Sequence, residues 1–419
     1  MAITHERQIP QELNADVLAI PESMTAWKEQ LLQAEMIVIS LVCSDSRVVL
    51  PRNVMSIAMD DGRQKNVLFI AVPTIGGGAP SRSRLRGVKQ TLLRWGVAKE
   101  KISILVTQHG DTEEITNSRA HQECSISCGL RKFFSQHDSD LTKIRRLILP
   151  WTQAYKQKHS DKSLAPDRLP LEVLEKEAPE IMTLITQLHQ ISGLPRRLIL
   201  RAAYRNTSFS MDDNLFEVWS KVAEYLQDGE NADILATCFL GAANYDHQQK
   251  QLKFNLPYAR LGFLDTTLQF DQLTPRSDRT QSPENVIISF GQEAICLDNS
   301  ILLPHFAGAI GPSDNDFTAD ASILSEPTAL CALAEAFYAV THKVHPHKDD
   351  NNFADLKRVI IICDNTQYVD QAKKALKSKE FEEDFFATFS LLNGGNIVLV
   401  NLELDQAQKA PGVEIFNVM

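Results

Sequence analysis

Met36-Ile37-Val38-Ile39-Ser40-Leu41-Val42 runs directly into Cys43-Ser44-Asp45-Ser46-Arg47-Val48-Val49-Leu50-Pro51. Six of the first seven residues are apolar, Ser40 being the exception, and four of them are β-branched; a polar cluster and a proline close the run off, which predicts a buried strand ending in a loop. A thiol, a carboxylate and a guanidinium then follow at alternate positions. Open α/β sheets bind ligands outside the carboxyl ends of their strands, so Cys43, Asp45 and Arg47 form the leading candidate site.

A second stretch echoes the first. Cys296-Leu297-Asp298-Asn299-Ser300-Ile301-Leu302-Leu303-Pro304 repeats Cys, Asp, Leu and Pro at the same offsets, and it too follows an apolar run, Val286-Ile287-Ile288-Ser289-Phe290. Downstream, Ile102-Ser103-Ile104-Leu105-Val106 leads to His109, and Val359-Ile360-Ile361-Ile362-Cys363 leads to Asp364, at nearly equal distances from their cysteines. The chain reads as a tandem duplication whose copies diverged at the polar positions.

At 419 residues the chain is too long for one ordinary core and suits two or three domains. With 43% hydrophobic and 23% charged residues it has the composition of a globular protein rather than a disordered or fibrous one. No apolar stretch approaches the roughly 18 residues of a membrane span, and residues 1–12 lack the apolar core of a signal peptide. The expectation is a cytoplasmic protein with no membrane partner. A net charge of −10 argues against general nucleic-acid binding, which needs Lys and Arg to neutralise phosphates. The local exception, Arg82, Arg84, Arg86, Lys89 and Arg94, reads as a basic stripe or as a solvated helix face. The 7 cysteines are odd in number and scattered, the pattern of reduced thiols.

Along the chain, residues 1–30 form an N-terminal arm with a helix at 24–33. A second buried strand, Asn66-Val67-Leu68-Phe69-Ile70-Ala71-Val72, leads into Gly76-Gly77-Gly78. Three glycines between a strand and a helix make either a plain turn or a nest of N–H groups that holds an anion. Val88, Thr91, Leu92 and Trp95 share one helix face, Gly96 ends that helix, and the strand at 102–106 follows. Strand, helix, strand implies a crossover and a parallel sheet. His109 and Asp111 thereby join Cys43, Asp45 and Arg47 at one end of it. His121, Cys124 and Cys128 fall on one side of a helix, as metal ligands or as core.

A strand at 144–150 would close the first unit. Helices are expected at 171–192, 196–203 and 214–227, a hairpin within 231–272 and a linker at 271–284. In the second unit a helix is expected at 329–340 and a strand at 396–400. His342, His345 and His347 lie in a polar connector that could bind a metal or serve only as a connector. The resulting division is 1–152 for the first unit with its arm, 153–284 for a helical insert with hairpin and linker, and 285–419 for the second, degenerate unit.

Cys43-Ser44-Asp45-Ser46-Arg47-Val48 after a buried strand, a helix ending in Gly96-Val97, another strand and then His109-Gly110-Asp111 together resemble the β-class carbonic anhydrases. That family carries Cys-x-Asp-x-Arg followed by His-x-x-Cys. The resemblance implies an α/β fold of two parallel-rich sheet units forming an internal pseudo-dimer. It also implies zinc held by Cys43 and His109, Asp45 as the gating carboxylate and Arg47 as its partner, with CO2 and bicarbonate as substrates. The pattern breaks at Thr112, where the second cysteine is expected, so Asp45, Cys124 or Cys128 is left as third ligand. In the second unit Ser300 takes the arginine's place, Asp364 the histidine's and Gln367 the second cysteine's. Two readings follow: a zinc-dependent CO2 hydratase with an altered site in the first unit, or an inactive scaffold that binds an anion or, through the helical insert, a protein partner. A homo-oligomer fits either.

Overall fold

The computed structural model describes residues 4–5, 20–43, 50–51, 53–74, 82–110, 136–160, 165–205, 215–227, 239–246, 249, 251–254, 261–270, 285–297, 306–310, 329–330, 333, 358–390, 396–403 and 412–417. Their strands form two sheets, one of seven strands and one of six.

The first sheet is built on β2 (Met36–Cys43), whose Ile37, Val38, Ile39 and Leu41 are all fully buried. A run apolar on both faces is the signature of a central strand in a parallel sheet. β4 (Gln64–Thr74) and β5 (Ile102–Gly110) flank it, both parallel to it. β3 (Met55–Ala58) adds antiparallel to β4. On the other side β6 (Phe239–Asp246) runs parallel to β5, and β7 (Gln251–Phe254) and β8 (Thr267–Gln269) complete an antiparallel meander. The expected hairpin within 231–272 is this meander, and it joins the first sheet.

The second sheet repeats the order. β9 (Asn285–Phe290) lies between β10 (Phe306–Ile310) and β11 (Arg358–Cys363), β12 (Asn396–Asn401) follows β11, and all four are parallel. β13 (Gly412–Asn417) then pairs antiparallel with β12, and β1 (Thr4–His5) with β13. In both sheets the parallel strands lie in the order second, first, third, fourth, with an antiparallel strand beyond the fourth.

Helices make the layers. α1 (Ile20–Gln33), α2 (Arg82–Arg94) and α7 (Leu215–Gln227) cover one face of the first sheet, and their Leu31, Leu85, Val88, Leu92, Val218 and Val222 share a core with Ile39, Ile70 and Ile104. The short α8 (Gln292–Leu297) and Ile287, Ile360, Ile362 and Val398 of the second sheet enter the same core. α3 (Asp138–His159), α4 (Leu171–Glu177), α5 (Pro179–Ser192) and α6 (Arg196–Arg205) pack on the opposite face of the second sheet, together with α9 (Thr366–Leu376) and α10 (Lys379–Ser390). The first sheet thus turns the face bearing its crossover helix α2 toward the shared core. The second sheet turns the face away from α9 and α10. The remaining face of the first sheet is closed by Ile57, Leu252, Phe254, Phe263 and Phe270.

Three expectations need correction. Residues 144–150 are helix, not strand: Leu141, Ile144, Ile148 and Thr152 recur at helical spacing on the buried face of α3, while Leu147 and Leu149 are exposed. Pro150 is accommodated inside that helix rather than ending a strand. The span 171–192 is two helices, because Pro179 disfavours helical geometry at Ala178, whose φ of −141° starts α5 afresh. The basic residues of α2 are not a uniformly solvated face: Arg84 and Lys89 are buried, Arg82 and Arg86 half-buried, and only Arg94 is exposed. Elsewhere α1, α6, α7 and β12 occur where expected, and Ala329, Leu330 and Leu333 are helical.

Candidate functional site

The carboxyl ends of β4, β2, β5 and β6 lie side by side along one end of the first sheet. Cys43 is the last residue of β2, level with Thr74 of β4. Leu41 pairs with Val106, so continuing that register brings Cys43 level with Gln108, one residue short of His109 on β5. Strand spacing of ~4.8 Å and a rise of ~3.3 Å per residue put the two backbone positions on the order of 6 Å apart. Asp45, Arg47, Gly76, Gly77, Gly78, Asp111, Thr112, His121, Cys124, Cys128 and the histidines at 342, 345 and 347 lie outside the described residues. Among the described residues no three His, Cys, Asp or Glu side chains converge as a metal-binding group.

Beside His109 the sheet end is polar and buried. His109 pairs with Tyr245 and Gly110 with Asp246 on β6. Asp246 is fully buried, accepts a hydrogen bond from the backbone N–H of Gln249 at 3.0 Å and pairs with Lys253 Nζ at 3.1 Å. Gln108 and Asn244 are buried next to it, and both have partners. The composition of Asn244-Tyr245-Asp246-His247 signals only a turn. A buried ion pair there needs the β6–β7 pairing, which no local pattern announces.

α2 follows the end of β4 and carries the buried Arg84 and Lys89, both engaged with partners. Arg82 lies over the Tyr225 ring, 6.0 Å from its centroid, and donates to the Tyr225 carbonyl at 3.4 Å. Arg94 pairs with Glu293 of α8 at 3.6 Å, so this helix links the two sheets. Buried cations are costly unless paired, which makes α2 a charged strut within the core.

The second sheet has the same end filled differently. Asp364, just past β11, accepts hydrogen bonds from the backbone N–H of Glu293 at 3.2 Å and of Ala294 at 2.7 Å, closing the start of α8. Gly291 makes room for it: its φ is +121°, and a Cβ there would lie 2.0 Å from Asp364 Cγ. Register corrects the equivalence drawn from the repeated motif. Ser40 pairs with Leu105 as Ser289 pairs with Ile362, and Leu41 with Val106 as Phe290 with Cys363. With the strands matched through Ser40 and Ser289, Asp364 takes the place of Thr107 rather than His109, and Cys43 corresponds to Gln292. Cys296 lies four residues on, within α8 and fully buried.

Searched against family models, curated proteins and solved structures, the chain finds no match. The resemblance to carbonic anhydrases therefore rests on the motif residues alone. Among the described residues no helix is long and apolar enough to cross a membrane.

Proposed function

We propose that the chain is a fused pair of β-carbonic-anhydrase-like units, the first a zinc-dependent CO2 hydratase with an altered metal site, the second a structural partner. What carries this reading is that Cys43 and His109 stand at the carboxyl ends of adjacent parallel strands, where the family's thiolate and imidazole would be needed. The shared strand order of the two sheets supports descent by duplication. The pair is stacked, since the units meet through unlike faces, whereas an isologous dimer uses the same patch twice.

In this reading Cys43 and His109 would hold the ion, and Asp45, Cys124 or Cys128 would supply the third ligand that Thr112 cannot. Bound zinc lowers the pKa of its water from ~15.7 to about 7, the handling of water for which carbonic anhydrase itself is the standard example. The resemblance would give Arg47 the role of holding Asp45 through a charge-assisted hydrogen bond. In the second unit Asp364 is committed to the N–H groups of α8, consistent with a structural role. CO2 hydration by the full chain tests the proposal: Cys43→Ser should abolish it and Thr112→Cys should raise it. Wild-type activity at the uncatalysed rate, with no gain in Thr112→Cys, would sink it.

Thr112, standing where the resemblance expects the second thiolate, favours a second reading, an inactive scaffold that binds an anion. Bicarbonate binding by a metal-free chain, weakened in Gly77→Pro, separates it from the first.

A further inference from the structure

We infer that the outer face of the first sheet holds an internal water site between Ser40 of β2 and Thr107 of β5. Ser40 is 0% and Thr107 1% exposed, and neither hydroxyl has a hydrogen-bond partner among the described residues. Native proteins pair nearly all such groups with protein or ordered water, because an unpaired one keeps its desolvation cost. Both residues belong to the same face. Val38 and Val42 bracket Ser40 on β2, Leu105 precedes Thr107 on β5, and these three with Ala243 and Tyr245 pack in the core on the side away from the second sheet.

Register sets the two hydroxyls on a diagonal. Ser40 lies opposite Leu105 and Thr107 two residues further along β5, which places them ~8 Å apart at the backbone. Two O–H···O bonds of ~2.8 Å meeting at one oxygen span about 5 Å between hydroxyls, so a single water can bridge such a pair when the side chains lean together. Leu105 lies opposite Ser40 and Val42 level with Thr107, while the positions on the outer sides of the pair are small: Ala71 beside Ser40, Gly241 beside Leu105 and Ala243 beside Thr107, none with an atom beyond Cβ. Serine and threonine each donate and accept, and they carry no charge, which suits water rather than an ion. In the second sheet the corresponding row is Ser289, Ile362 and Val400, where bulk replaces the small residues. The site does not depend on whether the strand end binds zinc.

Urea unfolding of the full chain tests it with Ser40→Ala, Thr107→Val and the double variant. A shared water predicts that each single substitution lowers the unfolding midpoint and that the double lowers it no further than the worse single. Singles that raise the midpoint, or losses that simply add, overturn the shared site. A high-resolution crystal structure of the wild-type chain tests it independently: a water within hydrogen-bond distance of both hydroxyls is expected, and a dry gap between them contradicts the inference.

Discussion

Arg197 and Glu380 form a bidentate ion pair across 183 residues of chain, with the guanidinium fully buried and the carboxylate 6% exposed. Arg197 Nη1 also donates to the carbonyls of Asp167 and Leu169 at 2.9 and 3.0 Å. Next to it Arg196 donates from its backbone and from Nε to Asp384, at 2.9 and 2.7 Å. These bonds lock α6 to α10 and so tie the helices before the second sheet to the second sheet's own layer. Removing one partner strands a buried charge, so Glu380→Ala should cost about 3–5 kcal/mol in urea unfolding, while Arg197→Met with Glu380→Leu should recover most of it.

Burial raises the Glu380 carboxyl above its ordinary value even with Arg197 beside it. A raised acid means the folded state holds the proton more tightly than the unfolded chain, so this contribution is fully present below the unfolded pKa of 4.5 and is lost as pH rises through the folded one. The stability of wild type relative to Glu380→Gln should therefore decline from acid toward neutral pH. A difference that is flat or grows over that range contradicts the assignment.

Tyr368 gives the alkaline counterpart. Burial, with Asp364 and Cys363 nearby, pushes its hydroxyl up from 10.0 to about 12. Its contribution should be intact below pH 10.0 and lost as pH rises toward about 12, so wild type should weaken relative to Tyr368→Phe across that interval alone.

At the second sheet's end, Asp364→Ala leaves two helix N–H groups without their acceptor and should cost about 1–3 kcal/mol. Gly291→Ala should cost more, since it meets both the positive φ and the Asp364 carboxyl. In the Asp364→Ala background the same Gly291→Ala should cost less, because the clash is gone and only the backbone strain remains. Equal costs in the two backgrounds, measured by thermal unfolding, would show that the carboxylate does not fill that space.

The strands at 36–42, 102–106 and 359–363 are legible because burial on both faces leaves an apolar run, broken only by Ser40 in the first and Ser103 in the second. The segment 144–150 misled because Leu147-Ile148-Leu149-Pro150 imitates such a run, and the helical spacing shows only when Leu141 and Thr152 are counted with it. Arg84 and Lys89 looked solvent-facing because charge ordinarily seeks water, and no local rule marks the exceptions held by partners. The echo of Cys43 in Cys296 was a match of letters: one ends a strand, the other packs inside a helix. Of the candidate site, the strand-end placement of Cys43 and His109 could be read from flanking patterns. The Asp246–Lys253 pair could not, since it forms only when β6 and β7 fold together.

Elemental analysis of the untagged 419-residue chain decides whether its first unit holds zinc. About one zinc per chain is expected, lost in both Cys43→Ser and His109→Ala and retained in Asp364→Ala. A chain purified without zinc that also takes up none when zinc is supplied, or one that keeps its full complement in both Cys43→Ser and His109→Ala, contradicts it.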